Sequence, residues 1–446
     1  MNSLSREDAL RLADRCLALT QADQAEVLVF STASYLTRFA DNRIHQNVGE
    51  EDLQVSVRAV LGKRVGVAGT NRMDDEGIGE CCANAAIAAQ NAVEDPDFPG
   101  LPAPRPLETP DRVRDSTLGF DAGLRADAAR ELIDQSRMQG LAAAGKVEAS
   151  ASTVAIVNSL GVRAAMPVTD VRASVLAMGE TGSGWADFAG CDADALLAGR
   201  LGEEAASLAV RAADPGALDP GSYTVVLAPD AVATMLDFLS YTGFSAKAVA
   251  EGSSFMAGRL GEKVLSERIT IRDDALADDA LGLTFDYEGM PKHRADIVRE
   301  GVLVAPVTDS YWAARTGADN TGCALPAPNT FGPLPLNLRL EPGDASEAEM
   351  IASVERGLYV TRFHYVNIED PTRAVLTGMT RDGTFLIEGG KLTRPVKNLR
   401  FTQSAVEALA GVLAVGRDRR YAGDEGSPPL VPALLLESFD FTGQTR

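Results

Sequence analysis

The sequence predicts an α+β protein in which strands and helices are grouped along the chain. Two observations carry this prediction. Runs of Val, Ile, Leu and Phe at near-alternating positions are typical of antiparallel strands, and they occur in clusters separated by turn residues. Helical patterns stand between the clusters rather than after every strand, which disfavours a doubly wound α/β fold. We therefore expect an N-terminal α+β region followed by a C-terminal strand-rich domain.

The first predicted module, residues 1–95, has the order helix, sheet, helix. Ser5 and Asp8 resemble a helix N-cap, and apolar residues at helical spacing predict a helix over about residues 6–19. An alanine-rich pattern predicts a second helix over about residues 74–93. Between the two helices, four alternating segments predict strands, at 26–39, 43–48, 53–60 and 64–70.

A connector and a second module follow. Six prolines between residues 96 and 110 predict an extended segment, because proline neither continues a helix nor fills a central strand. The second module, residues 111–213, contains four predicted elements: a helix over 121–140, strands over 147–158 and 162–178, and a helix over 193–213.

The third module, residues 221–446, is predicted to be mostly strands. Two Asp-Pro-Gly turns, at 214–216 and 219–221, mark its boundary. The expected elements inside it are a strand and helix over 223–241, hairpins over 295–306 and 384–395, helices over 347–356 and 403–413, and a last strand over 434–441.

Charge and cysteine content restrict the function classes. The formal net charge of −21 argues against a nucleic-acid partner, because phosphate binding needs clustered Lys and Arg. Five irregularly spaced cysteines favour reduced thiols in a cytosol over a disulfide framework. We find no uncharged apolar run long enough for a signal peptide or a membrane span, so we expect a cytoplasmic protein without a membrane partner.

Two stretches resemble known ligand-binding motifs but give little support for a function. Gly140 to Val147 resembles a phosphate-binding P-loop, but Val147 replaces the magnesium-binding hydroxyl, and a helix precedes where a strand is needed. An ordinary helix end with Gly145 as its C′ residue is the favoured interpretation. The acidic pairs at 273–274 and 278–279 do not match a calcium loop, and solvated loop charge is the simpler explanation.

The three histidines offer no local metal site. His45, His293 and His364 are far apart in the sequence. A metal site formed by ligands that converge from distant strands stays an open alternative. A metal-free hydrolase that uses Ser or Cys with one of these histidines is a weaker alternative, because no Gly-x-Ser-x-Gly elbow accompanies them.

Several segments together resemble the TldD/PmbA family of metallopeptidase-related proteins, and they span nearly the whole chain in the right order. The segments that carry the resemblance are Thr37 to Gln46, Val55 to Arg58, Gly62 to Gly66, Glu251 to Phe255, Gly261 to Val264, Gly357 to Arg362 and Gly383 to Lys391.

The resemblance implies a dimer that encloses a peptide chamber. Catalytic, TldD-type members carry His-Glu-x-x-x-His on the helix after the strand that here is Tyr223 to Leu227, and a later cysteine completes the zinc site. Here Asp237 stands at the first histidine, Phe238 at the glutamate and Thr242 at the second histidine. No cysteine follows Cys323. At these degenerate ligand positions, the carboxylate of Asp237 and the hydroxyl of Thr242 cannot replace two imidazoles for zinc, and Phe238 cannot take a proton from water.

This pattern resembles the PmbA side of the family, also called TldE. The resemblance implies a non-catalytic subunit of a cytoplasmic zinc metallopeptidase, with the zinc held by a TldD-type partner and with unfolded or modified peptides as substrates. The alternative is a homodimeric peptide-binding protein without protease activity. Strand edges could bind peptide by strand addition. Arg362 and His364 are the expected substrate-facing positions.

Overall fold

The chain folds into two β-sheets with helices packed on them. The computed structural model describes residues 3–423 and 426–444. The architecture is mixed α+β, with an antiparallel N-terminal sheet and a large mixed C-terminal sheet, as the sequence predicts. None of the helices that the structure describes is long and apolar enough to cross a lipid bilayer.

The N-terminal sheet has six strands in the order β3-β2-β1-β4-β5-β6. All neighbours are antiparallel, and β1 pairs with β4 along most of its length, so the first and second modules build one sheet. The division of this region into separate domains over residues 1–95 and 111–213 therefore stays a prediction. The strands are β1 (Gln24–Ala40), β2 (Arg43–Leu61), β3 (Arg64–Thr70), β4 (Ala142–Asn158), β5 (Arg163–Met178) and β6 (Ser183–Gly190).

Helices cover part of this sheet and bury small apolar side chains against it. Alanines such as Ala13, Ala85 and Ala205 are fully buried, which lets the helices approach the strands closely. The proline connector, residues 96–110, is irregular, and a short helix follows it. The helices are α1 (Arg6–Leu19), α2 (Asp75–Asn91), α3 (Asp115–Leu118), α4 (Ala122–Met138) and α5 (Ala198–Arg211).

The structure corrects several element boundaries in this region. The predicted strands 43–48 and 53–60 are one continuous strand, β2, and β6 was not predicted. Gly145 is not the end of a helix: it lies inside β4, and Gly140, with φ of 70°, follows the helix instead. The P-loop interpretation is rejected for the predicted reason, because α4 precedes and β4 follows.

The C-terminal sheet contains eleven strands of mixed direction. Its pairing closes on itself, because β7 bonds to both β12 and β17 while β13 and β15 link those two strands. The strands are β7 (Gly221–Leu227), β8 (Ile271–Asp273), β9 (Ala295–Arg299), β10 (Val302–Leu303), β11 (Leu338–Leu340), β12 (Arg356–Asp370), β13 (Val375–Glu388), β14 (Lys391–Pro395), β15 (Leu399–Ser404), β16 (Val412–Tyr421) and β17 (Leu430–Gln444).

Within the described part of the chain, five helices accompany this sheet. Both predicted hairpins are confirmed, with turns at Glu300-Gly301 and Gly389-Gly390. The capping box of Ser346 and Glu349 is formed. The helices are α6 (Pro229–Gly243), α7 (Ala246–Ala250), α8 (Ser310–Thr316), α9 (Glu347–Ala352) and α10 (Ala405–Ala410).

One acidic pair that we expected to be solvated loop charge contains a buried carboxylate. Asp273 is fully buried, and its Oδ1 accepts a hydrogen bond from the Asn337 backbone N–H at 2.6 Å. Asp279 instead forms an ion pair with Arg339. All five cysteines are free thiols.

Candidate functional site

The candidate site is built on α6. The preceding strand ends in Val225, Val226 and Leu227, all fully buried because the closed sheet and its helices cover both faces. Pro229 stands at the first helical turn, where its missing N–H removes no helical hydrogen bond. The predicted strand and helix over 223–241 are confirmed.

The three positions that resemblance aligns with zinc ligands have different surroundings. Asp237 is exposed, and Phe238 is half-buried against the C-terminal core. Thr242 is buried, and its Oγ1 donates a hydrogen bond to the Phe238 carbonyl oxygen at 2.7 Å. The only hydroxyl among the three is therefore engaged by its own helix.

The chemistry of the side chains at these three positions does not suit a metal ion. The residue as a whole is exposed, but desolvation by the surrounding protein raises the pKa of the Asp237 carboxyl. A lone exposed carboxylate, a phenyl ring and an engaged hydroxyl do not fit a zinc ion, which prefers imidazole, thiolate and carboxylate ligands together.

An aromatic pair is exposed beside Asp237. Tyr241 lies one turn further along α6 and is 52% exposed, and its ring centroid is 5.7 Å from that of Phe331, which is 57% exposed. Residues four apart share one helical face, so α6 presents a carboxylate and an aromatic ring side by side to solvent.

The N-terminal end of α6 is held by a buried ion cluster. Asp230 in the first turn accepts a hydrogen bond from Arg420, and Arg420 also donates to Asp187 Oδ1 at 2.9 Å. Burial raises the pKa of the Asp230 carboxyl, Arg420 opposes this rise and Asp187 adds to it. Because Asp187 lies on β6 and Arg420 on β16, the cluster fixes α6 to both sheets.

Arg362 takes part in a second junction between the two sheets. Its Nε lies 3.2 Å from Asp382 Oδ2, a charge contact without hydrogen-bond alignment, and its guanidinium carbon is 4.2 Å from the centroid of the Trp185 ring. Asp382 also accepts a hydrogen bond from Ser183 Oγ at 2.6 Å. The Arg362 guanidinium therefore already contacts other protein groups, so it is less available to bind a substrate than we expected.

His364 is half-buried on β12, and its ring centroid is 4.3 Å from that of Tyr365. Burial, with Arg381 and Arg362, lowers the pKa of His364, so the ring is neutral at physiological pH. His45 and His293 are exposed. Among the described contacts of residues 3–423 and 426–444, none joins a histidine to a serine or cysteine nucleophile.

The structure does not bring all expected site residues together. On α6, Thr234 and Met235 share a small apolar niche with Phe363 and Val366 of β12. No described hydrogen bond, ion pair or ring contact joins Asp237 or Thr242 to Arg362 or His364. Within the described ranges, no group of three or more His, Cys, Asp or Glu side chains is arranged to hold a metal ion.

Sequence reasoning missed the charged residues that position α6. The sequence offered one signal for Asp230, because an acidic residue in the first turn stabilises a helix. Its partners Asp187 and Arg420 are far away in the sequence, and β6 was not predicted at all. Only the folded arrangement shows that these three side chains meet.

Comparison with known proteins now defines the class. Three family models match in sequence order: PmbA/TldA metallopeptidase domain 1 over residues 25–89, the central domain over residues 115–213 and the C-terminal domain over residues 220–443. The chain therefore belongs to the PmbA/TldD metallopeptidase family.

Curated relatives resemble this chain over part of their length. A metalloprotease of Methanothermobacter thermautotrophicus is 28% identical over 228 residues, which are 50% of this chain and 48% of that protein. Metalloprotease PmbA of Escherichia coli O157:H7 is 27% identical over 169 residues, 37% of this chain and 35% of that protein. The chain thus spans about half or less of the length of these relatives.

Solved structures share the fold along nearly the entire chain. TldE from Thermococcus kodakarensis superimposes with a TM-score of 0.88 at 19% sequence identity, covering 98% of this chain and 99% of that one. A putative modulator of a DNA gyrase from Thermotoga maritima gives a TM-score of 0.87 at 18% identity, covering 97% and 99%. At such identities the likeness establishes the fold.

Proposed function

We propose that this chain is a non-catalytic subunit of a TldD/TldE-type zinc metallopeptidase that works in the cytoplasm. A TldD-type partner would hold the zinc ion and the water-activating glutamate. This chain would complete the dimer and help to enclose unfolded or modified peptides.

The observation that carries the proposal is the chemistry of α6. At the three positions where resemblance expects ligands and a base, the side chains are exposed Asp237, core-packed Phe238 and buried Thr242. A phenyl ring cannot accept a proton, so the chain offers no general base at this position. The helix itself is intact, which supports a role that needs the scaffold and not the ion.

The exposed aromatic pair supports a contact with peptide. Tyr241 and Phe331 offer apolar area with a polar tip, which suits binding of varied unfolded sequences. Arg362 and His364 stay candidates for substrate contact, and their engagement with Asp382, Trp185 and Tyr365 favours a role in shaping the surface.

Co-purification with a TldD-type protein from the same organism tests the pairing. We expect a mixed dimer by size-exclusion chromatography with light scattering. A chain that stays a homodimer in the presence of this partner, and still binds peptide, would replace the proposal with the homodimeric peptide-binding alternative.

Peptide binding to the mixed dimer tests the role of α6. Tyr241→Ser should weaken the binding of a fluorescent unfolded peptide by about threefold to tenfold, since one exposed aromatic contact contributes about 1 kcal/mol. Leu124→Ser is the matched control, because Leu124 is 50% exposed on a helix of the N-terminal region. Equal effects of the two substitutions would remove α6 from the peptide-binding surface.

A further inference from the structure

A cavity lies between the two sheets, away from α6. Its volume is about 280 Å³, just below the range of about 300–1,000 Å³ that is usual for small-molecule sites. One wall comes from β1, β4 and β5 of the N-terminal sheet. The other comes from the segment 274–292 of the C-terminal domain together with residues near 324, 336–337, 421 and 427–428.

Lys292 lines this cavity with a buried ammonium group that lacks acceptors. The residue is 4% exposed, and among the residues that the structure describes Nζ has no hydrogen-bond partner. The carboxylate of Asp273 approaches it, but Oδ2 stays 3.8 Å from Nζ. An ammonium has three donors, and buried donors are almost always satisfied, so the site calls for oxygen acceptors from outside the chain.

The carboxylates near Lys292 are committed to other donors. Asp286 accepts hydrogen bonds from the backbone N–H groups of Glu288, Met290 and Ala324 at 2.9 to 3.0 Å. Asp273 accepts from the Asn337 N–H and from Cys323 Sγ. Burial lowers the pKa of Lys292, and the neighbouring Cys323, Asp273 and Asp286 oppose this and leave the pKa raised.

The rest of the cavity combines charged side chains with apolar walls. Asp170 and Arg172 line the cavity and are paired with each other, with Arg172 Nε 2.9 Å from Asp170 Oδ1. Asp274 also lines the cavity, and the hydrogen bond described for this carboxylate uses Oδ1, which accepts from the Leu276 N–H at 3.1 Å. The apolar lining comes from both sides of the cavity: Phe30, Val154, Val168, Leu283 and Phe285. A cation, an anion and an apolar surface are thus available to one small ligand.

We propose that this cavity binds a free apolar amino acid. Its carboxylate would accept hydrogen bonds from Lys292, its ammonium would face Asp274, and its side chain would pack on the apolar lining. The carboxylates of Asp273 and Asp286 make the surroundings unfavourable for a simple anion, so a zwitterion is the better match. This inference does not depend on the proposed pairing with a zinc-bearing subunit.

Isothermal titration calorimetry of the purified full-length chain with L-leucine, L-phenylalanine and propionate tests the proposal. We expect saturable binding of at least one amino acid at micromolar to millimolar concentration, and propionate should bind at least about tenfold more weakly. No saturable binding of either amino acid, or propionate binding equally well, would overturn the proposal.

Variants locate the binding. Lys292→Met should weaken amino-acid binding at least about tenfold, because hydrogen bonds to a charged group are lost. Lys391→Met is the matched control at an exposed lysine and should bind as the unchanged chain does. Val168→Phe reduces the cavity without altering charge and decides the question if Lys292→Met fails to fold. Unchanged binding in whichever of these two variants folds would place the ligand elsewhere and refute the proposal.

Discussion

The two ends of α6 are held by different forces. At the N-terminal end, Asp230 is bonded to Arg420, which in turn bonds to Asp187 on the other sheet. At the C-terminal end, Asp237 is exposed and Thr242 bonds back to its own helix. The N-terminal end of α6 is therefore fixed by charged partners on other strands, and the described contacts at Asp237 and Thr242 include no such partner.

This difference indicates that the contacts that hold α6 in place are separate from the side chains at its candidate site. A helix can keep its position through burial and an ion cluster after its ligand positions have changed, because neither depends on the metal. In this chain the buried side chains Val232, Leu236 and Leu239 pack α6 into the C-terminal core. We therefore expect substitutions at the N-terminal end to change stability and those at the C-terminal end to change little.

Arg420→Ala should have the largest effect. It leaves the buried carboxyl groups of Asp230 and Asp187 without the arginine that donates to both, and we expect a loss of about 2–4 kcal/mol in the free energy of unfolding, reduced from fully buried cases because Arg420 is 31% exposed. Denaturant unfolding measures this loss. The matched control is Arg417→Ala, whose exposed pair with Glu349 should contribute less than about 1 kcal/mol. Similar losses in both variants would show that the cluster does not anchor α6.

Asp230→Asn should change how stability depends on pH. Because the pKa of Asp230 is raised in the folded protein, the folded state holds a proton that the unfolded state releases, and this contribution to stability is lost as pH rises from about 4 to about 8. The variant cannot ionise, so its stability relative to the unchanged chain should rise by about 1–3 kcal/mol across that window. Unfolding at several pH values measures the slope, and parallel curves would contradict a raised pKa.

Substitutions at the C-terminal end should have the smallest effects. We expect Asp237→Asn to change the free energy of unfolding by less than about 0.5 kcal/mol, because the residue is exposed. Thr242→Val should cost less than about 1 kcal/mol, since it removes one local hydrogen bond and keeps the volume. Thermal unfolding measures both. A loss above about 2 kcal/mol in either variant would show that this end also positions the helix.

The sequence predicted individual helices, strands and turns better than it predicted which of them contact each other in the fold. Caps and turns such as Ser5, Ser346 and Glu300-Gly301 act within a few residues, and the structure confirms each of them. The junctions around Arg420 and Arg362 depend on residues about 180 to 230 positions apart, which no local pattern records.

The sequence also could not predict which polar side chains are buried. Asp273 looked like solvated loop charge and is fully buried, while Lys292 carried no motif and lines a cavity. A polar residue in an irregular segment gives no periodic signal, so its burial becomes visible only after the two sheets pack together. The prediction of degenerate ligand positions on α6 came from the register that a family resemblance implies, and it stays a prediction.

The most direct test measures zinc and peptidase activity in a mixed dimer of this chain and a TldD-type partner. We expect about one zinc ion per dimer by elemental analysis, with cleavage of an unfolded peptide that is abolished by changing the partner's His-Glu-x-x-x-His and unaffected by Asp237→Ala or Thr242→Ala in this chain. Stoichiometric zinc in this chain alone, or loss of cleavage in those two variants, would contradict the account.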